Sequence, residues 1–496
     1  MKPNILCICT DQQRADHLGC AGNPDLKTPN LDQLASDGLL FTKSYVANPV
    51  CSPNQACLFT GQYPKSNGLR ENGNALPTNT LSLPQVLKEN GYFTFSSGKL
   101  HLSPYGADPN SKLDEYLLTE NKSLWDSKKH TLPLPYYGLE SVFFVGGHGH
   151  YNFGDSRNSI SQDESNGYIR EHAAYDSHTE EEEEEEVWCL KVQEENHYNI
   201  HIANKTIQFI EERDDSKPFF GWCSFPDPHH PFSPPEPWYS MYKGEDITIN
   251  RCPDKEDENL PLHLKEYKEK MRISDENLAE DIAKNYGMIS MVDHNIGRII
   301  KYLKENKLYE NTIIVFLSDH GDYMGDHGIK RKAILPYDGV YRVPTIWKTI
   351  DATKATGQTD ALHSSVDLMP TLLDLADIEI PETVQGFSQA PVLSNQKEKV
   401  RDYTYAEYDN DYRYATFPDG TPDHLRCRFL RDDQYYFAYF EEDDFGMLFD
   451  MKADPQQQIN LYTNPNYSQI IQNLFKLLAK ESLRTEPWKP NKVSWA

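Results

Sequence analysis

The sequence predicts an α/β fold with a parallel sheet, followed by a smaller C-terminal α+β part. Three observations predict it. Short apolar runs recur through most of the chain, helical patterns separate them, and the pattern changes after about Ser394. The apolar runs are "NILCICT" from Asn4, "YFTFSSG" from Tyr92, "PFFGWCSF" from Pro218 and "TIIVFLSD" from Thr312. Each reads as a buried parallel strand, continuous rather than alternating.

The helices follow from their ends and their faces. In "TPNLDQLASDG", Thr28 is placed as N-cap, Pro29 fits the first turn and Gly38 is the stop. In "SLPQVLKENG", Ser82 and Gln85 make a capping box and Gly91 ends the helix. A long helix is expected from about Ser274 to Asn306, with Ile282, Tyr286, Ile289, Ile296, Ile299 and Leu303 on one face. Beyond Ser394, "HLRCRFLRDDQYYFAYFEE" and "GMLFDM" read as antiparallel strands around an acidic turn, and "YSQIIQNLFKLLAKE" as an amphipathic helix. The expected division is a catalytic α/β domain over 1–394 and a C-terminal subdomain over 395–496. The run Glu180–Glu186 is expected to be a solvated loop, because like charges repel.

Bulk properties exclude some functions. A net charge of −27 argues against nucleic acid as a partner, so an anionic substrate needs a locally basic site. No apolar run approaches the roughly 18 residues of a membrane span. The nine cysteines are scattered, odd in number and without a CxxC pair, which fits reduced thiols and a cytoplasmic protein. The start "MKPNILCICTDQQ" does not read as a secretory signal; a periplasmic or secreted location would need one ahead of this sequence.

Chemistry gathers at strand ends, where sites of open α/β sheets form. "CICTDQQ" delivers Asp11 and Gln12, and "FLSDHGD" delivers Asp319 and His320. Two carboxylates, an amide oxygen and an imidazole suit Ca²⁺, Mg²⁺ or Mn²⁺; alone, either motif could equally be helix N-caps. In "VCSPNQACLFTG", Cys51 falls at the start of a helix, where free N–H groups and the dipole stabilise an anion. A lone cysteine is otherwise a packed core residue.

At this point the chain resembles the type I sulfatases of the alkaline phosphatase superfamily. The family signature C-x-P-x-R followed by leucine-threonine-glycine is matched at Cys51, Pro53, Leu58, Thr60 and Gly61, with Gln55 in place of the arginine. "GKLHL" resembles the second signature, "PDPHHPF" the proline-histidine motif and "SDHGDYMGDHG" the metal motif. "KAILPYDGVYRVP" resembles the segment carrying an active-site lysine, and "FDMKADPQQQINL" the C-terminal aspartate-proline stretch. The matches run in family order from Asn4 to Leu461.

The resemblance implies an alkaline-phosphatase-like sandwich with a mixed, mostly parallel central sheet and a C-terminal antiparallel sheet. It implies oxidation of Cys51 to formylglycine by a sulfatase-maturation enzyme, with one hydroxyl of the hydrate attacking sulfur and the other expelling sulfate. It assigns one divalent metal, Ca²⁺ as the expected ion with Mn²⁺ or Mg²⁺ as alternatives, to Asp11, Gln12, Cys51, Asp319 and His320. Lys99 and Lys332 would contact sulfate, with Asn72 as a further contact; His229 would protonate the leaving alcohol and His101 would support the nucleophile. His230 competes with His229 for the acid role. His148 and His150 either line the pocket or face solvent in a glycine-rich turn, and Asp322, Asp326 and His327 read as loop structure. Gln cannot form the fork of Arg, which bears on maturation and not on the fold. The implied substrate is a small-molecule or carbohydrate sulfate ester. The rivals are a phosphonate monoester or phosphodiester hydrolase on the same scaffold and a non-catalytic binding protein derived from a sulfatase.

Overall fold

The computed structural model describes residues 2–106, 118–126, 130–155, 169–173, 187–254, 260–332, 334–350, 354–410, 425–441 and 444–486. The acidic run Glu180–Glu186 and the side chain of His150 lie outside that set.

The first strands are β1 (Asn4–Thr10), β2 (Leu39–Tyr45), β3 (Phe93–Gly98), β4 (Ser141–Gly146) and β5 (Phe153–Gly154). A two-stranded ribbon follows, β6 (Ile169–Ala173) with β7 (Trp188–Lys191). Then come β8 (Phe219–Phe225), β9 (Thr312–Ser318), β10 (Thr345–Lys348) and β11 (Gly357–Ser364). Nine of these form one sheet in the order β11-β2-β10-β9-β1-β8-β3-β4-β5. Its pairs are parallel except where β10 meets β9 and β2, and where β5 meets β4. The sheet is therefore mixed and mostly parallel, as expected.

Alternation along β1 explains the layers. Ile5, Cys7 and Cys9 join an apolar cluster with α2 (Cys51–Thr60), α3 (Leu83–Glu89) and α6 (Leu368–Leu375). Leu6 and Ile8 point to the other face and join α1 (Pro29–Asp37), α4 (Tyr198–Glu212) and α5 (Asp275–Glu305). Helices thus cover both faces, which is why β1 reads as a continuous apolar run.

Helix α5 buries all six residues assigned to its inner face, and Ser274 caps it by accepting the Asn277 N–H. Two other caps differ from expectation. Thr28 donates its hydroxyl to Asp32 and accepts the Gly19 N–H, so it does not cap α1. The free N–H groups of Asn30 and Leu31 are instead accepted by Asp293 of α5, at 3.2 and 2.8 Å. Ser82 accepts the Gln85 N–H, but the Gln85 side chain goes to Glu89, leaving half a capping box.

A second, antiparallel sheet is built from β12 (Tyr403–Asn410), β13 (Leu425–Asp432), β14 (Tyr435–Phe440) and β15 (Phe445–Asp450). One face packs Phe437 and Leu448 against Leu474 and Leu478 of α7 (Ser468–Arg484). The other packs Phe429, Tyr436 and Phe449 against Tyr337, Val340 and Tyr341 of the segment between β9 and β10. Among the described residues no helix is long and apolar enough to cross a membrane, and none of the nine cysteines forms a disulfide.

Candidate active site

Five neighbouring strand ends build the site. β1 and β9 are parallel and paired Thr10 to Ser318, so Asp11 and Asp319 leave adjacent strands at the same level. The next strand, β8, leads to Asp227 and His229; β3 leads to Lys99 and His101; β4 leads to His148. Gly98 has φ +108° and a Cβ there would lie 1.8 Å from the Ser224 carbonyl oxygen, so only glycine lets Lys99 turn in at this point.

Cys51 is the first residue of α2, and no side chain of Val50 caps that end. Asn72 Oδ1 accepts the Ser52 N–H there, at 3.2 Å. Cys51 is 2% exposed. Its Sγ lies 2.7 Å from Lys332 Nζ, 3.1 Å from His320 Nε2 and 3.7 Å from Asp11 Oδ1. Ligand atoms of Asp11, Cys51, Asp319 and His320 all fall within 4.8 Å of one another. Lys99 is fully buried, donates to Asp11 Oδ2, and stands 3.7 Å from Asp319 Oδ2.

The imidazoles are oriented by carbonyls, which can only accept. His320 Nδ1 donates to Gly321 O at 2.8 Å, leaving Nε2 toward Asp11 Oδ1 at 3.3 Å. His229 Nδ1 donates to His230 O at 2.5 Å, leaving Nε2 3.1 Å from Lys332 Nζ. His230 instead meets the Gln12 amide nitrogen at 3.0 Å. His148 stacks on His229 with centroids 3.7 Å apart, and its Nε2 is 3.6 Å from Asp11 Oδ2.

Electrostatics follow from this crowding. Burial pushes the Cys51 thiol up and Asp11 adds to that, but Lys332, Lys99 and His320 outweigh both and bring it to about 6. Burial and Asp11 push Asp319 up to about 6, against His320 and Lys99. Burial opposes a charged His320, yet Asp319 raises it to about 10. Burial, then His148, His230 and Lys332, hold His229 well below its ordinary value.

Gln12 sits at φ +65° and spends its amide N–H groups on Asp322 Oδ2, at 2.5 Å, and His230. Its Oε1 is buried without a hydrogen-bond partner, an acceptor that a cation would satisfy. Gln55 is fully buried and gives its amide N–H to Asp319 Oδ2 at 3.3 Å. A neutral amide thus stands on a carboxylate where the family signature carries a guanidinium. His101 sits at φ +58°, stacks on Tyr105 at 4.1 Å, and accepts the Ser52 hydroxyl with its carbonyl at 2.6 Å. Asp322 accepts the Met324 and Arg331 N–H groups, Asp326 pairs with Arg14, and His327 stacks on Tyr337. These three hold the loop together, as their reading as loop structure implies.

Two supports escaped the sequence reading. Asp227 accepts from Tyr198 Oη and from Asn199 Nδ2, and Tyr198 Oη accepts the Gly149 N–H at 3.3 Å, fixing the loop of His148. Glu120 is fully buried and accepts the Leu102 N–H at 2.9 Å, beside His101. Neither has a local pattern, because each acts on a segment distant in sequence.

Comparisons place this geometry among known proteins. The family model described as Sulfatase matches residues 3–378, and that described as N-sulphoglucosamine sulphohydrolase, C-terminal matches 325–484. The chain is 30% identical to an arylsulfatase of Clostridium perfringens, covering 97% of this chain and 94% of that one. It is 26% identical to an N-acetylglucosamine-6-O-sulfatase of Bacteroides thetaiotaomicron, over 96% and 86% of the two. The fold is similar to the crystal structure of a phosphonate monoester hydrolase of Agrobacterium radiobacter, with TM-score 0.77, 24% identity and 97% and 96% coverage. With matched residues spanning most of the chain, this protein belongs to the sulfatase family.

Proposed function

We propose that the chain hydrolyses sulfate monoesters of carbohydrates at the Cys51 centre, with one divalent cation. The observation that carries the reading is the convergence on Cys51 of two lysines, an imidazole and two carboxylates at a helix start. The relatives named for carbohydrate sulfate esters, among them the N-acetylglucosamine-6-O-sulfatase, support the substrate class.

Asp11, Asp319, His320 and Gln12 would hold the cation. Hard oxygens with one imidazole fit Ca²⁺ first, then Mn²⁺ or Mg²⁺, and the unpartnered Gln12 Oε1 supports the fit. When bound, such an ion would supply Lewis acidity for a sulfate oxygen and for deprotonation of the nucleophile's hydroxyl. Formylglycine at position 51 would supply that hydroxyl. The chain's own residues do the rest. Lys99 and Lys332 neutralise charge growing on the sulfate oxygens, where fixed cations cost no reorganisation. Asn72 lines the same cavity as Lys332 and contacts the helix start. His229, neutral with its Nδ1 hydrogen committed to His230 O, takes a proton at Nε2 from Lys332 at 3.1 Å and passes it to the leaving oxygen. His101 holds Ser52 next to the nucleophile through its carbonyl.

The test combines turnover with a mass. Purified protein should release sulfate from 4-nitrophenyl sulfate faster than it cleaves the matching phenylphosphonate ester; the reverse order would favour the phosphonate hydrolase. The tryptic peptide around Cys51 should carry formylglycine in part of the molecules, and Gln55→Arg should raise that fraction. Unmodified Cys51 together with hydrolysis that vanishes in Cys51→Ser would make the thiolate the nucleophile. No hydrolysis of any ester would leave a binding protein.

A further inference from the structure

The cavity over Cys51 has a volume of about 240 Å³, and its wall includes Arg70, Tyr408 and Asp409. That lies below the roughly 300–1,000 Å³ of sites for drug-sized ligands, so it fits one small ring. Arg70 comes from the loop that follows the short helix Pro64–Asn67, and Asp409 from β12 of the second sheet. The two form an ion pair across the two parts of the molecule. Asp409 also accepts from Arg428 Nη1 at 2.6 Å and Nη2 at 3.3 Å.

Two guanidiniums therefore share one carboxylate. Burial pushes Asp409 up, but Arg428 and Arg70 hold it below its ordinary value, so it is ionised. With three N–H donors on it, little of the roughly four-site acceptor capacity of Asp409 is left for a ligand hydroxyl. Arg70 has the opposite surplus. Its side chain lines the cavity and is 41% exposed, and its buried Nε has no hydrogen-bond partner. A guanidinium stays charged, and its planar fork fits an oxyanion in two-point contact. The Asp409 carboxylate keeps that fork in place.

We propose that Arg70, held by Asp409, binds a second oxyanion of the substrate, a carboxylate or a further sulfate, so that the natural ester is an acidic saccharide with at least two anionic groups. The proposal rests on the sulfate-ester reading above. Arg70 and Asn72 line the same cavity, and Asn72 contacts the helix start at Cys51. The second charge thus sits within one ring of the scissile ester.

The experiment compares methyl glucuronoside monosulfates with methyl glucoside monosulfates bearing the sulfate on the same carbon. Wild-type kcat/KM should favour the acidic member by about tenfold to a hundredfold, the range of a charge-assisted contact. Arg70→Gln should bring the ratio near one, with the change in KM rather than kcat, and Arg70→Lys should keep part of it. A methyl glucoside disulfate in the same assay separates the two sources of the oxyanion. Equal wild-type kcat/KM for the acidic and neutral members overturns the proposal and leaves sulfate hydrolysis standing. Should neither sugar turn over, calorimetric titration with methyl glucuronoside decides: binding that Arg70→Gln abolishes and Arg70→Lys partly restores supports the site, and no binding overturns it. Loss of 4-nitrophenyl sulfate turnover in the wild type would overturn the hydrolysis reading instead.

Discussion

The strand-end centre and the wall supplied by the second sheet are built on opposite plans. At the strand ends, Asp11, Lys99, Asp319 and His320 are all at most 1% exposed and compensate one another at close range. At the wall, Arg70 keeps 41% of its side chain exposed and retains an unused donor. The difference teaches where each task is set. On the function proposed above, parallel register fixes the reacting groups to a rigid sheet, whereas the groups proposed to meet the rest of the substrate come from a loop and a separate sheet, free to vary without disturbing the chemistry.

The largest effects should come from the strand ends and the start of α2 that faces them. Asp319→Ala and Cys51→Ala should each lower kcat/KM for 4-nitrophenyl sulfate by at least about 10³-fold. Chelation should inactivate the wild type, with Ca²⁺, Mn²⁺ or Mg²⁺ restoring it, and modest added metal should not rescue Asp319→Ala. Full activity in Asp319→Ala would break the contrast, since that centre would then be structural. Lys332→Ala comes next, with a loss of about 10²–10³-fold, because Nζ contacts Cys51, His320 and His229 together.

His229→Ala sharpens the picture by leaving group. An alkyl sulfate should lose about 10²-fold or more, and an activated aryl sulfate less than about tenfold, since a good leaving group needs little protonation. Equal losses would count against the role, and a larger loss in His230→Ala would move it to that residue.

The last effect is on stability rather than turnover. Burial raises Glu120 to about 7, against hydrogen bonds from Tyr136 and the neighbouring backbone. Between about pH 4.5 and 7 the unfolded chain gives up this proton while the folded one keeps it. Folded-state stability from this group should therefore fall across that window and level off above it, by an amount on the order of 3 kcal/mol. Thermal unfolding of Glu120→Gln should show a flatter pH dependence than the wild type. An unchanged slope would mean that Glu120 titrates alike in both states.

The four strands read from the sequence are runs of 6 or 7 residues buried almost throughout, long enough to leave an unbroken apolar stretch. β10 is as buried but only 4 residues long, and β2, β4, β5, β6, β7, β11 and β12 do not stand out either. β11 starts "GQTD" at the sheet edge, and β12 alternates Tyr with polar residues, so neither stands out without its neighbours. Asp11, Cys51 and Asp319 were visible as strand-end and helix-start residues, and Lys99, Lys332 and His229 only through the family resemblance. Arg70 was invisible: its partner Asp409 lies 339 residues away, and nothing local marks the pair. The Thr28 cap failed for the same reason, since Asp293 reaches α1 from a helix 262 residues on.

The burial of Cys51 also sets a clock during synthesis. The imidazole that closes over its sulfur belongs to His320, made 269 residues later. At roughly 5–20 residues per second, the ribosome needs about 13–54 s to reach it. For that interval the thiol is on a chain that cannot yet fold around it, and afterwards it is 2% exposed. An enzyme that modifies Cys51 must therefore work on the nascent chain or on an unfolded one, and slower translation or delayed folding lengthens its opportunity.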